Sequence, residues 1–317
     1  MNHHTLSDFR VGHGPALDGL LTQSVGALMA EDLVDLEQVA QDGVRVRASA
    51  GSGSFRSAKG LAQCLEEAEA QVAALKAEID ADPAAASQRQ KAAQERGARE
   101  RLERVKKALA QREEAAAKKK TSQEQEDTRA STTDPEARVM KMADGGFRPA
   151  YNVQLSTDVT SQVIVGVEVT NRGNDFGEMG PMVGQIEERF GKTPDIVLVD
   201  GGFASHDEIE RVTERGITVY APVMVGKKAQ RDPHTPRSTD GRGVAAWRVR
   251  MGTEEAKVIY KARAATAECV NAIARNRGLR QFLVRGLAKV RVIAILFALA
   301  HNCMRAVALR SLARATG

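Results

Sequence analysis

DIVLVDGGFASHDEIERVTERGITVYAPV, residues 195–223, is the stretch on which the fold turns. Its opening, DIVLVD (195–200), sets a short aliphatic run between two aspartates, the pattern of a strand buried in a sheet. Gly201-Gly202 end the run, 205–215 reads as an amphipathic helix, and ITVYAPV (217–223) is the next strand. Upstream, YNVQL (151–155) and QVIVGVEV (162–169) flank STDVTS, a hairpin connection. Between them and the opening stretch, 174–190 reads as a helix capped by Asn174 or Asp175. Val44, Val46 and Ala48 alternate with Arg45 and Arg47, which places another strand near 39–48, before a Gly/Ser loop at 49–54. A hairpin of strands followed by strands alternating with helices predicts a mixed α/β sheet covered by helices.

Outside this frame the chain is helical. Residues 5–36 read as one helix, with Ser7 as its N-cap and Leu17, Leu20, Leu21, Val25 and Leu28 on its apolar side. Residues 56–131 are rich in Ala, Glu, Gln, Lys and Arg. There Leu61, Leu65, Ala68, Val72, Leu75 and Ile79 recur in a coiled-coil rhythm, and Ala98, Leu102, Val105 and Leu109 form a second stripe. With a break at Asp82-Pro83, this predicts an antiparallel helical hairpin ending in a mobile polar stretch at 118–134. A polar loop covers 226–243, and the remainder is helical apart from a break near Arg277-Gly278.

Composition narrows the function. The 317 residues carry 46 Lys or Arg against 41 Asp or Glu, a net charge of +5, with 42% hydrophobic residues. That is the profile of a globular protein of one large or two smaller domains. The longest apolar run, VIAILFALA (292–300), is about half of what a membrane span needs, and no signal peptide opens the chain. A cytoplasmic protein with no membrane partner is expected. Cys64, Cys269 and Cys303 lie far apart with no CxxC spacing, which excludes a disulfide framework and a thiolate metal site as readings. No phosphate-binding glycine motif is present, so no nucleotide cofactor is expected. From residue 260 to the end Glu268 is the only acidic side chain among many Lys and Arg. A basic final third on a more acidic remainder fits either a polyanion partner, nucleic acid foremost, or a solvated basic face.

Three carboxylates stand out by position: Asp42 on the first strand, Asp200 at the end of DIVLVD, and Glu268 alone in a basic helix. Two strand-borne aspartates and a helix-borne glutamate have the chemistry to hold two divalent ions for phosphoryl transfer, Mg²⁺ or Mn²⁺ by their preference for hard oxygens. Each acid also has a plain reading: Asp42 starting a turn with Gly43, Asp200 capping the next helix, Glu268 paired with an arginine. A second DGGF, at 144–147, follows no apolar strand, so Asp144 reads as a turn residue, as does Asp158 in the hairpin. Trp247 reads as a packing anchor and His301 as structural.

AQDGVRVRA (40–48), AYNVQLSTD (150–158), LVDGGFAS (198–205) and YKARAATAECVNAIARNRGLRQFLVRGLAKV (260–290) resemble a bacterial insertion-sequence transposase of the DDE class. Tyr260, Arg263, Glu268 and Arg275 resemble the Tyr–Arg–Glu–Lys signature around that family's catalytic glutamate. Four residues separate Arg263 from Glu268 where the signature commonly has three, and Arg275 stands in place of lysine. The resemblance implies an RNase H-like mixed sheet flanked by helices, with a long helical-hairpin insertion after the first strand. It implies catalytic and metal-holding roles for Asp42, Asp200 and Glu268, with two Mg²⁺ or Mn²⁺ ions as cofactors. It further implies DNA contacts by Tyr260, Arg263, Arg275, Arg277 and Arg280, extending to Lys289 and Arg291. The activity implied is metal-dependent cleavage and strand transfer on transposon-end and target DNA, with a homodimer as a candidate assembly. The rival expectation is an inactive remnant that binds DNA or full-length transposase, because family members usually carry more sequence before the segment at Met1. On this reading 1–36 is the remnant of a longer N-terminal region, 37–55 plus 136–317 the catalytic domain, and 56–135 the inserted helical domain.

Overall fold

The computed structural model describes residues 3–81, 88–224 and 231–316. In chain order the elements are α1 (His3–Gly12), α2 (Gly14–Ala30), β1 (Gln38–Arg47), β2 (Phe55–Arg56), α3 (Ala58–Ala81), α4 (Gln88–Ala117), α5 (Ser122–Glu126), β3 (Ala130–Ser131) and β4 (Arg138–Lys141). There follow β5 (Phe147–Asp158), β6 (Ile164–Thr170), α6 (Met179–Phe190), β7 (Ile196–Leu198), α7 (His206–Glu214), β8 (Thr218–Tyr220), α8 (Arg242–Met251), α9 (Glu254–Arg263), α10 (Cys269–Asn276) and α11 (Leu287–Thr316). Residues 264–268, between α9 and α10, form a π-helical turn. The chain divides into two compact units, one of 1–46, 152–281 and 287–317, the other of 47–151 and 282–286.

The first unit is built on strands in the order β6-β5-β1-β7-β8. β5 and β6 are antiparallel, as the STDVTS hairpin predicts, with a register shift at Ser156/Thr157. β1 pairs with β7 and β7 with β8 in parallel, because α6 and α7 carry the chain back between them. Successive residues of β1 face opposite sides. Val39 packs with Val25, Leu28, Val163, Val165 and Ile186, whereas Ala40 packs with Val197, Phe203, Ile209, Val212, Val219 and Trp247. Both faces of the sheet are therefore covered, each fully buried aliphatic side chain contributing about 1.5–3 kcal/mol. Trp247 is a packing anchor, 2% exposed, its Nε1–H donating to the Ala221 carbonyl at 3.0 Å.

Two expectations for this unit are corrected. The helix over 5–36 is two helices, broken at His13 where Pro15 opens α2, and Ser7 lies inside α1 rather than capping it. α2 stops at Ala30, and left-handed backbone at Asp32 (φ 55°) and Leu36 (φ 61°) turns the chain into β1. The helix placed at 174–190 starts only at Met179; neither Asn174 nor Asp175 caps it. Its Gly180 N–H is taken instead by the Glu208 carboxylate of α7 at 2.8 Å, a partner distant in sequence. The apolar run 292–300 is part of α11, the one helix among the described residues that by length and composition alone is apolar enough to cross a membrane. Within this unit α11 buries Val290, Ala294, Ile295 and Ala298. Its Asn302 amide is clamped to β6, accepting from the Ile164 N–H and donating to the Ile164 carbonyl, both at 2.8 Å. His301 is structural as expected, its ring at 2.9 Å from the Gln162 carbonyl, and burial pushes its pKa down.

The second unit contains the helical hairpin. Leu61 and Ala68 of α3 and Ala98 and Val105 of α4 are buried, as the stripes predict; Ala108, outside the stripe, is buried as well, and Arg101 reaches back across the pair to Gln71 at 2.9 Å. The break at Asp82-Pro83 lies outside the described residues, as do 226–230 of the polar loop. Residues 118–134, expected to be a mobile linker, carry regular structure instead. Thr121 and Glu124 form a reciprocal capping box at the start of α5, Arg112 donates to the Gln125 carbonyl at 2.6 Å, and β3 pairs with β2. Asp144 is a turn residue as expected, accepting from the Gly146 N–H at 3.0 Å and from Arg148 at 2.8 Å in the tight turn between β4 and β5.

Candidate active site

Parallel pairing sets up the site. The register joins Ala40 to Leu198, and two residues further along, on the same face, the strands bring Asp42 and Asp200 side by side. Asp42 is half-buried and held from two directions. Its Oδ1 accepts from the Gly43 N–H at 3.0 Å, and its Oδ2 accepts from Asn271 Nδ2 at 2.9 Å. On the opposite face of β1, a Cβ on residue 43 would lie 2.6 Å from Gln154 Nε2 and 2.8 Å from Asn152 Oδ1, so only glycine fits beside this acid. Asp200 sits in the turn after β7, where the Gly202 N–H donates to its Oδ1 at 2.7 Å.

The third acid arrives by an irregular helix. Arg263 and Glu268 are five residues apart, and in an α-helix five steps of about 100° leave two side chains about 140° apart around the axis. The π turn over 264–268 absorbs the extra residue, since its bonds close over five residues rather than four. Arg263 and Glu268 thus share a face, Nη1 to Oε1 at 2.8 Å. Carbonyls along the turn take side-chain partners: Thr266 Oγ1 donates to Ala262 at 2.8 Å and Gln162 Nε2 to Ala265 at 3.0 Å. The four-residue gap between Arg263 and Glu268 is in this way compatible with one shared face.

All three acids meet one guanidinium. Arg263 Nη2 lies 3.2 Å from Asp42 Oδ1 and 3.9 Å from Asp200 Oδ2, while Nη1 holds Glu268. The Arg263 side chain is 9% exposed, whereas those of Asp200 and Glu268 are 41% and 56% exposed, so the cluster opens to solvent on the acid side. Burial pushes the Asp42 carboxyl up, with the Asp200 charge adding to it and Arg263 opposing. Burial by itself would lower Arg263, yet its acidic neighbours, Asp42 foremost, hold it above its ordinary value. Tyr260, one turn before Arg263, is packed against the core, and burial pushes its phenol up.

The expected DNA-contacting residues divide. Arg275, Arg277 and Arg280 are exposed around the end of α10, where Gly278 (φ 97°) terminates the helix and Arg280 Nε donates to the Arg275 carbonyl at 2.8 Å. Arg263 is not on the surface. Arg291 is engaged by Glu168 at 3.3 Å and Asp18 at 3.4 Å, leaving Lys289 as the exposed cation of that pair. Asn271 escaped the sequence reading. Its signal was its position three residues after Glu268, on the same helical face.

Two aspartates and a glutamate are the hard-oxygen donor set that Mg²⁺ and Mn²⁺ take. In chemistry the residues fit such an ion. In arrangement they enclose a guanidinium instead: among the described residues no three acidic, histidine or cysteine side chains are grouped so as to hold a metal.

A mixed sheet with a parallel core, flanked by helices, is the fold of an RNase H-like domain. The family described as Transposase DDE domain matches residues 120–303, more than half of the chain, and the protein belongs to that family. Asp200 and Glu268 fall inside the matched segment and Asp42 before it. No curated protein and no solved structure matches the chain.

Proposed function

We propose that this transposase cleaves DNA and transfers the cut strand, with Asp42, Asp200 and Glu268 as its catalytic acids. The observation that carries the reading is the convergence of these three carboxylates, from two strands and a helix, on Arg263. The acids would hold Mg²⁺ or Mn²⁺, and two such ions bound there supply activation of an attacking water or 3′-hydroxyl and stabilisation of the departing oxygen. The chain's own groups do the positioning. Asn271 and the Gly43 N–H fix the Asp42 carboxylate, the Gly202 N–H fixes Asp200, and the π turn fixes Glu268. Exposed Arg275, Arg277 and Arg280 attract and seat the DNA backbone beside the acids. The helical segment 56–135 is proposed as a domain inserted into the catalytic fold of 37–55 and 136–317.

The test is nicking of supercoiled DNA. Cutting is expected in Mg²⁺ or Mn²⁺ and not in Ca²⁺ or chelator. Asp200→Ala should abolish it while leaving DNA affinity similar or higher, since a negative charge beside the phosphate path is lost. Wild-type protein that binds DNA and never cuts cognate ends would replace this reading with that of a DNA-binding remnant.

A further inference from the structure

We infer that Arg263 is a resident cation that occupies the acidic cluster in the DNA-free protein, blocks divalent-ion binding there, and is drawn off by a DNA phosphate. The inference rests on the functional reading above and specifies how its site is regulated.

Arg263 contacts Asp42, Asp200 and Glu268 at once, at 3.2, 3.9 and 2.8 Å. A divalent ion shared by these carboxylates would need the space and the oxygen lone pairs that the guanidinium now uses. Charge points the same way. With Arg263 in place the cluster carries two net negative formal charges. With Arg263 withdrawn to a phosphate, which it neutralises, all three carboxylate charges face the incoming ions.

The resting arrangement is also incompletely satisfied. Arg263 Nε is buried without a hydrogen-bond partner, and so is Asn271 Oδ1, on the residue whose amide holds Asp42. A buried donor left open favours an exchange that gives it a partner. Phosphate is the partner suited to the arginine, because its oxygens take the planar guanidinium fork in two parallel bonds. The path is open: Asp200 and Glu268 face solvent, and Arg275, two turns after Glu268 on the same helical face, is exposed where a backbone would approach. Divalent-ion binding and DNA binding are then linked, each strengthening the other by the same factor.

The experiment measures Mn²⁺ binding to the full chain by electron paramagnetic resonance of the free ion, with and without a short duplex, after subtracting the duplex alone. Wild type should bind Mn²⁺ weakly alone and at least about tenfold more tightly with duplex. Arg263→Gln should bind Mn²⁺ at least about tenfold more tightly than wild type without DNA, and the duplex should add little. Arg263→Lys, which keeps the charge but not the fork, should fall between them and decides the matter if the glutamine variant does not fold. Arg275→Gln controls for loss of a nearby positive charge and should change DNA-free affinity less than about twofold. Equal or weaker Mn²⁺ binding in Arg263→Gln, or in Arg263→Lys where that variant decides, overturns the inference. So does an Arg275→Gln gain as large as that of Arg263→Gln. Asp200→Asn in the Arg263→Gln background should lose the tight Mn²⁺ binding. If it does not, the ion is held elsewhere, and the assignment of the acids fails on its own account.

Discussion

Deleting Ala264 tests whether the extra residue between Arg263 and Glu268 is absorbed by the π turn. Removing one residue from a helix normally rotates everything beyond it by about 100°. Here the deletion should convert the π turn to α-helix and leave α9 and α10 facing as before. The structure bounds the cost. Ala264 is exposed, and the bonds at risk are the neutral ones from Thr266 to Ala262 and from Gln162 to Ala265. Each is worth about 1 kcal/mol, and the regained helical bond offsets one of them, so the net loss should be about 1 kcal/mol or less. Deleting Ala272 is the comparison, because no irregular turn there can absorb it. It would rotate Ala274 (0% exposed) off the core and displace Leu279 (7% exposed). The lost leucine burial predicts about 1.5–3 kcal/mol. Urea unfolding followed by circular dichroism reads both deletions as midpoint shifts at constant slope. Equal destabilisation by the two deletions would refute the register argument.

Two further outcomes follow from the charges. Burial raises the Asp42 pKa in the folded chain, so its contribution to stability is fully present below the ordinary aspartate value of about 3.9 and is lost as pH rises through the folded pKa. Asp42→Asn should therefore be more stable than wild type at pH 7.5, with the advantage shrinking as pH falls to the ordinary aspartate range; thermal melts across that interval check it, and a variant less stable at pH 7.5 contradicts it. Replacing Arg275 and Arg280 by glutamine should weaken DNA binding on all sequences and flatten the plot of log affinity against log salt by about 0.9 per lost phosphate contact; an unchanged slope would remove these arginines from the interface.

The strands were legible because alternation and short apolar runs are local signals: 39–48, 151–155, 162–169 and 195–200 all fall on or beside observed strands. The split of the first helix was legible too, in Gly14-Pro15, since the apolar series Leu17 to Leu28 lies wholly after it. The start of α6 was not legible. Asp175, which looks like a cap, is instead spent on Asn152 and Gln154 at 2.7 Å each, while Glu208 supplies the cap from another helix. Composition misled at 118–134, where a polar stretch conceals the local Thr121–Glu124 capping box. In the site, position alone marked Asp42, Asp200 and Glu268. The part played by Arg263 depends on a π turn whose trace in the sequence is one residue too many, and sequence spacing does not say which irregularity absorbs it.

The most direct measurement is the DNA-nicking rate in Mn²⁺ of Asp42→Asn, Asp200→Asn and Glu268→Gln, beside Asp144→Asn from the other DGGF turn. Each of the first three should lose at least about a hundredfold with DNA affinity retained, and Asp144→Asn should cut within about twofold of wild type. Undiminished cutting by any one of the three, or loss of cutting in Asp144→Asn alone, would contradict the account.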